Sequence, residues 1–306
     1  MPRLKIVLPA LAMVGSLAAW PVYAHGFGQR TELPVPLGYF LVGAGLAVAL
    51  SFVLISTLVD ISGQPSYWRH NLIGHRWSRG VLTSPLTLLP VKLVSVFLLG
   101  LVIATGFGGD PSPLLNFSPV FVWVIWWVGM SITVALLGNF WTLLNPWKII
   151  FGWAEGIHRL VRPGRNLSLA RNYPARWGIW PALALFLIYA WVQDAYPKAD
   201  VPFHIATLVS SYSVLTLGGM FVFGRDQWLR KGEIFSLVFG LFSRFSVTEV
   251  RVNDGAACQE CAVECRGSDG NCVDCYPCFQ RANDREINLR PPDGGPGRNE
   301  PVTDDL

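Results

Sequence analysis

Six cysteines fall within residues 258–278, in the order Cys258-x2-Cys261-x3-Cys265-x6-Cys272-x2-Cys275-x2-Cys278. Two C-x2-C pairs separated by a glycine-containing turn can offer four thiolates, from Cys258, Cys261, Cys272 and Cys275, to a tetrahedral zinc ion. Cys265 and Cys278 would be left over. The same six thiols would form three disulfides in an oxidising compartment. Cys272-x2-Cys275-x2-Cys278 also begins like a bacterial iron–sulfur motif, although no Cys-Pro completes it. Which of these chemistries applies depends on the side of a membrane that the segment occupies.

Histidine is scarce, with five in the chain. Removal of a leader after Ala24 would make His25 the first residue, whose amine and ring are both neutral metal donors near pH 7. His204 is the natural further ligand on that side. Asp194 closes an apolar run, and ionisable groups in such places face interior cavities more often than lipid. His70, His75 and His158 form a second group, in which Glu155-x-x-His158 places carboxylate and imidazole on one helical face, the spacing of carboxylate-bridged metal sites. A plainer reading exists for each, since interfacial histidines need bind nothing and a charged surface helix accounts equally well for Glu155 and His158. The serine-hydrolase elbow, the H-E-x-x-H helix and the phosphate-binding G-x-x-x-x-G-K-[ST] loop are absent.

The elements that must position these groups are membrane helices. Of 306 residues, 52% are hydrophobic and only 14% charged, where soluble domains carry about a quarter charged residues. Thirteen Trp, eighteen Phe and eight Tyr suit the two membrane–water boundaries. The net charge of +4 resides in short loops, which speaks to topology and excludes nucleic-acid binding as a reading. Residues 1–24 have signal-peptide grammar, with Arg3 and Lys5, an apolar stretch and a small-residue end at Ala24. About 20 apolar residues cross the hydrocarbon as a helix, and five segments qualify: Gly38–Val59, Leu86–Phe107, Phe117–Gly138, Gly178–Ala195 and Phe203–Phe223.

Loop charges orient them. Loops 60–85 and 139–177 and the turn after Phe223 hold most of the Arg and Lys, whereas loop 108–116 has none and loop 196–202 has Lys198 alone. The positive-inside rule then puts the mature N-terminus in the periplasm and the tail in the cytoplasm of the inner membrane. Residues 233–245, EIFSLVFGLFSRF, are too short to span unaided and read as an interfacial or re-entrant helix; a sixth, tilted span is the alternative. The expected organisation is all-α and polytopic: a signal peptide (1–24), a transmembrane helical domain (25–245), a Cys-rich tail (246–290) and a Pro/Gly-rich disordered end (291–306).

AHGFGQRTELPVPLGYF at 24–40, LGNFWTLLNPWKIIFGWAE at 137–155 and FGRDQWLRKGEIFSLVFGLFSRFSVTEVRV at 223–252 together resemble a group of bacterial polytopic membrane proteins called fenitrothion hydrolases. The resemblance covers most of residues 24–292, including LRPP at 289–292. It implies cleavage of the P–O–aryl bond of an apolar organophosphorus triester, releasing a nitrophenol. His25, His204 and Asp194 are then the first candidates for divalent-metal ligands or catalytic base, with the inner histidines second. Members of the group continue past the LRPP segment into further membrane helices, so a second membrane polypeptide is the expected partner, beside the bilayer itself. A different class of function, metal or redox handling through the Cys-rich tail, is the competing expectation.

Overall fold

The computed structural model describes residues 42–43, 45–46, 49–50, 68–259 and 271–291. The signal segment, His25, most of the first expected span, Cys261, Cys265 and everything beyond Pro291 lie outside the described residues.

Among the described residues, four helices are long and apolar enough to cross a membrane. The first joins α1 (Arg76–Thr83) to α2 (Pro85–Gly108), where Ser84 accepts a hydrogen bond from Leu86 N and Pro85 occupies the first helical position. Both are favoured there because the first turn has spare N–H groups and proline has none to waste. α3 (Phe117–Leu137) follows a tight loop. Asn116 closes that loop: its side-chain oxygen caps α3 at Ser118 N, and its amide donates to Thr105 O and Asp110 O, each at 2.7 Å. On the other face come α4 (Trp141–Leu144) and α5 (Pro146–Val161), the latter capped by Asn145. α6 (Trp180–Ala195) and α7 (Pro202–Phe223) complete the spans, and α8 (Arg225–Lys231) and α9 (Ile234–Phe242) follow.

α2 and α7 meet where both carry small side chains. A Cβ placed on Gly106 would stand 2.6 Å from the Ala206 Cβ and 2.8 Å from Pro202 O. Such close backbone approach is how spans associate in lipid, where apolar burial supplies no drive between them. The span hydroxyls mostly turn back on their own helices, as Ser131 does to Trp127 O and Thr133 to Gly129 O. Ser213 reaches across, accepting from Trp147 Nε1 at 2.7 Å.

The tail folds into a small antiparallel sheet of order β1-β4-β2-β3, made by β1 (His70–Asn71), β2 (Thr248–Val252), β3 (Cys272–Val273) and β4 (Arg285–Leu289). His70 and Thr248 both register on Leu289, so one strand comes from the loop before α1. Short helices α10 (Gly255–Gln259) and α11 (Tyr276–Arg281) pack on it. Arg290 fixes the sheet to the bundle by donating to Ser246 O and Arg244 O, and lies 3.6 Å from the buried Glu249 carboxylate. Burial pushes the Glu249 carboxyl above its ordinary range, against the opposing charge of Arg290.

All basic loops share one face. Val247 N donates to Leu136 O and the Thr248 hydroxyl to Leu137 O, which holds the sheet at the end of α3. Leu169 and Arg171 bond Phe221 O and Val222 O at the end of α7, and Arg225 pairs with Glu155 at 2.7 Å. Trp228 packs on Gly219, Glu233 meets Tyr212 half-way along α7, and Val247 is back beside Leu136 on this same face. Residues 225–245 therefore make a re-entrant segment, α8 leading in and α9 leading out, and the sixth-span alternative fails.

Candidate functional site

The re-entrant segment supplies one wall of an apolar cavity in the bundle. α9 inserts Ile234, Phe235 and Phe239 as buried residues; the Phe235 ring lies 4.6 Å from Trp126 and 5.3 Å from Tyr189. Between α2, α3, α6, α7 and α9 an apolar cavity of about 500 Å³ remains. Its α7 wall runs from Ile205 to Leu215, a rise of roughly 15 Å in an α-helix. One end is bounded by Val102, Val122, Val192 and Ile205, toward the loop between α2 and α3; the other by Trp141, Leu144 and Trp147.

The α3 wall has unusual backbone. Phe121–Gly129, FVWVIWWVG, is wound as π-helix, a wider turn that is concentrated at functional sites because it displaces side chains from their α-helical positions. Phe121, Val122, Trp123, Ile125 and Trp126 of this stretch all line the cavity. Rings line the end at Trp141: Trp126 lies 5.6 Å from Trp141, and Trp147 5.0 Å from Tyr212.

One polar group stands behind that wall. Tyr212 donates to Glu233 Oε1 at 2.5 Å, and the same carboxylate accepts from Phe235 N at 3.2 Å, Ser236 N at 2.6 Å and Asn145 Nδ2 at 3.5 Å. Glu233 is fully buried. It is thus both the cap of α9 and the anchor that fixes the Tyr212 ring, and several donors with a helix N-terminus make the buried carboxylate tolerable.

The expected site residues are dispersed. His204, in the first turn of α7, has Nδ1 3.1 Å from Tyr196 Oη. Asp194 lies in the last turn of α6 at the same end, yet no hydrogen bond or ion pair joins it to His204 among the described residues. His25 lies outside them. On the face that carries the sheet, His70 is stacked on Trp68, and His75 precedes α1. Glu155 is engaged by Arg225, so the Glu155-x-x-His158 pair is not assembled as a metal site. Cys258, Cys272, Cys275 and Cys278 share one buried cluster with Val252 and Ala282. Cys278 is disulfide-bonded, and its Sγ lies 2.9 Å from that of Cys275. Among the described residues no group of three His, Cys, Asp or Glu is placed to hold a metal ion; Cys261, needed for the four-thiolate set, lies outside them.

Sequence reading missed Glu233, Tyr212, Trp141 and Tyr189. Glu233 carried a signal: it is the acidic residue opening an otherwise apolar run. No known protein family, curated protein or solved structure matches the chain.

Proposed function

We propose that this chain is a multi-pass protein of the bacterial inner membrane that draws a small, uncharged organophosphorus triester from the bilayer into the cavity and hydrolyses its P–O–aryl bond. The cavity carries the reading: its volume of about 500 Å³ is that of sites for drug-sized ligands, and its ring-lined walls suit an apolar aryl ester. The resemblance noted in the sequence narrows the ligand to a phosphorus triester. A charged substrate would be disfavoured, because no charged side chain lines the cavity to offset the loss of its hydration.

For the chemistry, His204 stands one residue from the cavity wall at Ile205. In the tautomer whose Nδ1–H donates to the Tyr196 oxygen, Nε2 is left to accept a proton from a water that attacks phosphorus as the aryl oxide departs. A nitrophenolate needs little acid assistance in leaving. The donors described at that end, His204 and Asp194, do not converge on a metal, so no step is assigned to one; a divalent ion there would require His25.

Charge favours a cytoplasmic position for the face that carries the sheet. The disulfide at Cys278 points the other way, since such bonds are rare in the cytoplasm. The charge argument outweighs it because every basic loop shares that face, whereas a cytoplasmic disulfide marks a redox-active thiol. That bond favours a second reading, metal or redox handling by the buried cysteine cluster. Zinc analysis and thiol titration of the purified chain separate the two readings.

The test uses native membranes, which retain any partner, before and after deletion of the gene. Fenitrothion should release its nitrophenol only when the protein is present, and His204→Ala should lower release by about a hundredfold, the scale of a general base. Equal release from deleted membranes, under every divalent-metal condition, removes the hydrolase reading.

A further inference from the structure

We propose that the cavity is a side pocket for one acyl chain of a membrane lipid, taken from the leaflet beside the loops at 109–116 and 196–201, with the lipid's headgroup left at the membrane surface outside the bundle. This rests on the cavity being a ligand site and is independent of the hydrolysis proposed for it.

The depth of the cavity selects a leaflet. On α7 the wall runs from Ile205 to Leu215, and on α6 from Val192 back to Leu185. With 1.5 Å per residue, these stretches lie between roughly 5 and 20 Å from Pro202 and from Ala195, the helix ends that adjoin loop 196–201. α2 contributes Val94 to Val102 and α3 Phe121 to Met130, each stretch centred toward the loop that joins the two helices. Trp147 closes the far end where it meets Ser213, half-way along α7. One leaflet is about 15 Å of the roughly 30 Å hydrocarbon core. The cavity therefore takes up most of one leaflet and stops near the midplane, the depth that a single acyl chain covers.

Access is from the side. Val102, Val122, Val192 and Ile205, at the end toward the loops, are at most 8% exposed, and Trp141, Trp147 and Phe235, at the other, at most 5%. Between those ends Val94, Ile125, Ile188, Leu208 and Leu215 line the same cavity and are 39–57% exposed. At that depth the flank of a bundle meets hydrocarbon, so what enters comes from lipid. Water is a poor occupant, because it needs several polar partners. Trp123 Nε1 donates instead to Ala199 O, Trp147 Nε1 to Ser213 Oγ, Tyr212 Oη to Glu233 and the Ser95 hydroxyl to Leu144 O. A methylene chain asks for no hydrogen bond and gains dispersion contacts with the surrounding rings. Its headgroup stays behind, since no charged side chain lines the cavity to offset its lost hydration.

The experiment uses the full chain in phosphatidylcholine nanodiscs doped with a phosphatidylcholine that carries a diazirine midway along one acyl chain. After irradiation, adducts are mapped by peptide mass spectrometry on two sets of residues that share helices and depth. Leu98, Leu185 and Val209 line the cavity, whereas Phe97, Leu187 and Val214 are outside its lining and 61–74% exposed. Wild type should label the two sets to within about twofold, because a chain held between close-packed walls stays in contact with them. Val209→Trp should fill the space and lower labelling of Leu98 and Leu185 by about tenfold. Unchanged labelling of the outward set shows that the variant is folded; Leu98→Phe, a milder filling, should act in the same direction on Leu185 and Val209. Moving the diazirine to the methyl end should move adducts along α7 from Leu208 toward Leu215. Adducts confined to the outward set, lining adducts that survive both variants, or movement in the opposite sense, which would mean a lipid of the other leaflet, overturns the proposal. Lining adducts in a protein whose membranes release no nitrophenol uphold it and sink the hydrolase reading; nitrophenol release with an unlabelled lining does the reverse.

Discussion

Glu233 and Lys148 are two ionisable side chains taken out of water in different ways. The Glu233 carboxylate receives hydrogen bonds from Tyr212 and from two backbone N–H groups at the start of α9, so its charge is met by dipoles. Lys148, in the first turn of α5, finds only Thr142 O at 2.9 Å. Burial and then the nearby charge of Arg225 bring its pKa down to about 8, with Lys92 adding to the shift and Asp226 opposing it. Unfolding restores the ordinary value of 10.5. Between these values the unfolded chain holds the proton that the folded one has released, so stability rises with pH across that window. Thermal unfolding in detergent between pH 7.5 and 10.5 should show a midpoint that climbs less steeply in Lys148→Met than in wild type. Identical slopes would mean that Lys148 keeps its ordinary affinity for protons. Neither environment was legible in the sequence, because a dipole cage and a neighbouring cation both depend on segments far apart in the chain.

Among the elements, the spans were the most legible, and the ring-lined segments inside them the least. Length and hydropathy locate α2, α3, α6 and α7 to within a few residues, since lipid forces every backbone group in a span to be satisfied internally. The π-wound stretch 121–129 gave no signal: it is hydrophobic all round, so no periodicity records the change of pitch. Gly106 belongs to the same blind spot, as one glycine among 30 until Ala206 and Pro202 are seen to face it. Gly106→Leu should separate α2 from α7 and destabilise the bundle by about 1–3 kcal/mol, the range for overpacking a close contact. Adding Ala206→Gly should recover part of the loss, because it removes the nearer of the two obstructions and leaves Pro202 O. The readout is the thermal midpoint of the purified protein; a midpoint unmoved by Gly106→Leu would show that the helices are not in contact there.

At the scale of the molecule, the loop before α1, the α4–α5 region, α8 and the sheet form one continuous cap on one face of the bundle. A reporter joined after Leu306 should therefore report the same compartment as one placed in loop 60–85, and the opposite compartment from a label on Ser112→Cys in the loop between α2 and α3. Opposite compartments for the first two would break the pairing of β1 with β4. By itself the sequence determined the all-α membrane class, the spans it could count by length, and the grouping of the basic loops, because each depends on composition over a single segment. Tertiary structure decided that the segment from Arg225 to Phe245 dips and returns, that His70–Asn71 joins the sheet of the tail, and that the cavity lies against aromatic rings rather than among the histidines. Those outcomes depend on which surfaces meet, and side chains distant in sequence settle them by packing volume and hydrogen-bond satisfaction that no local pattern encodes.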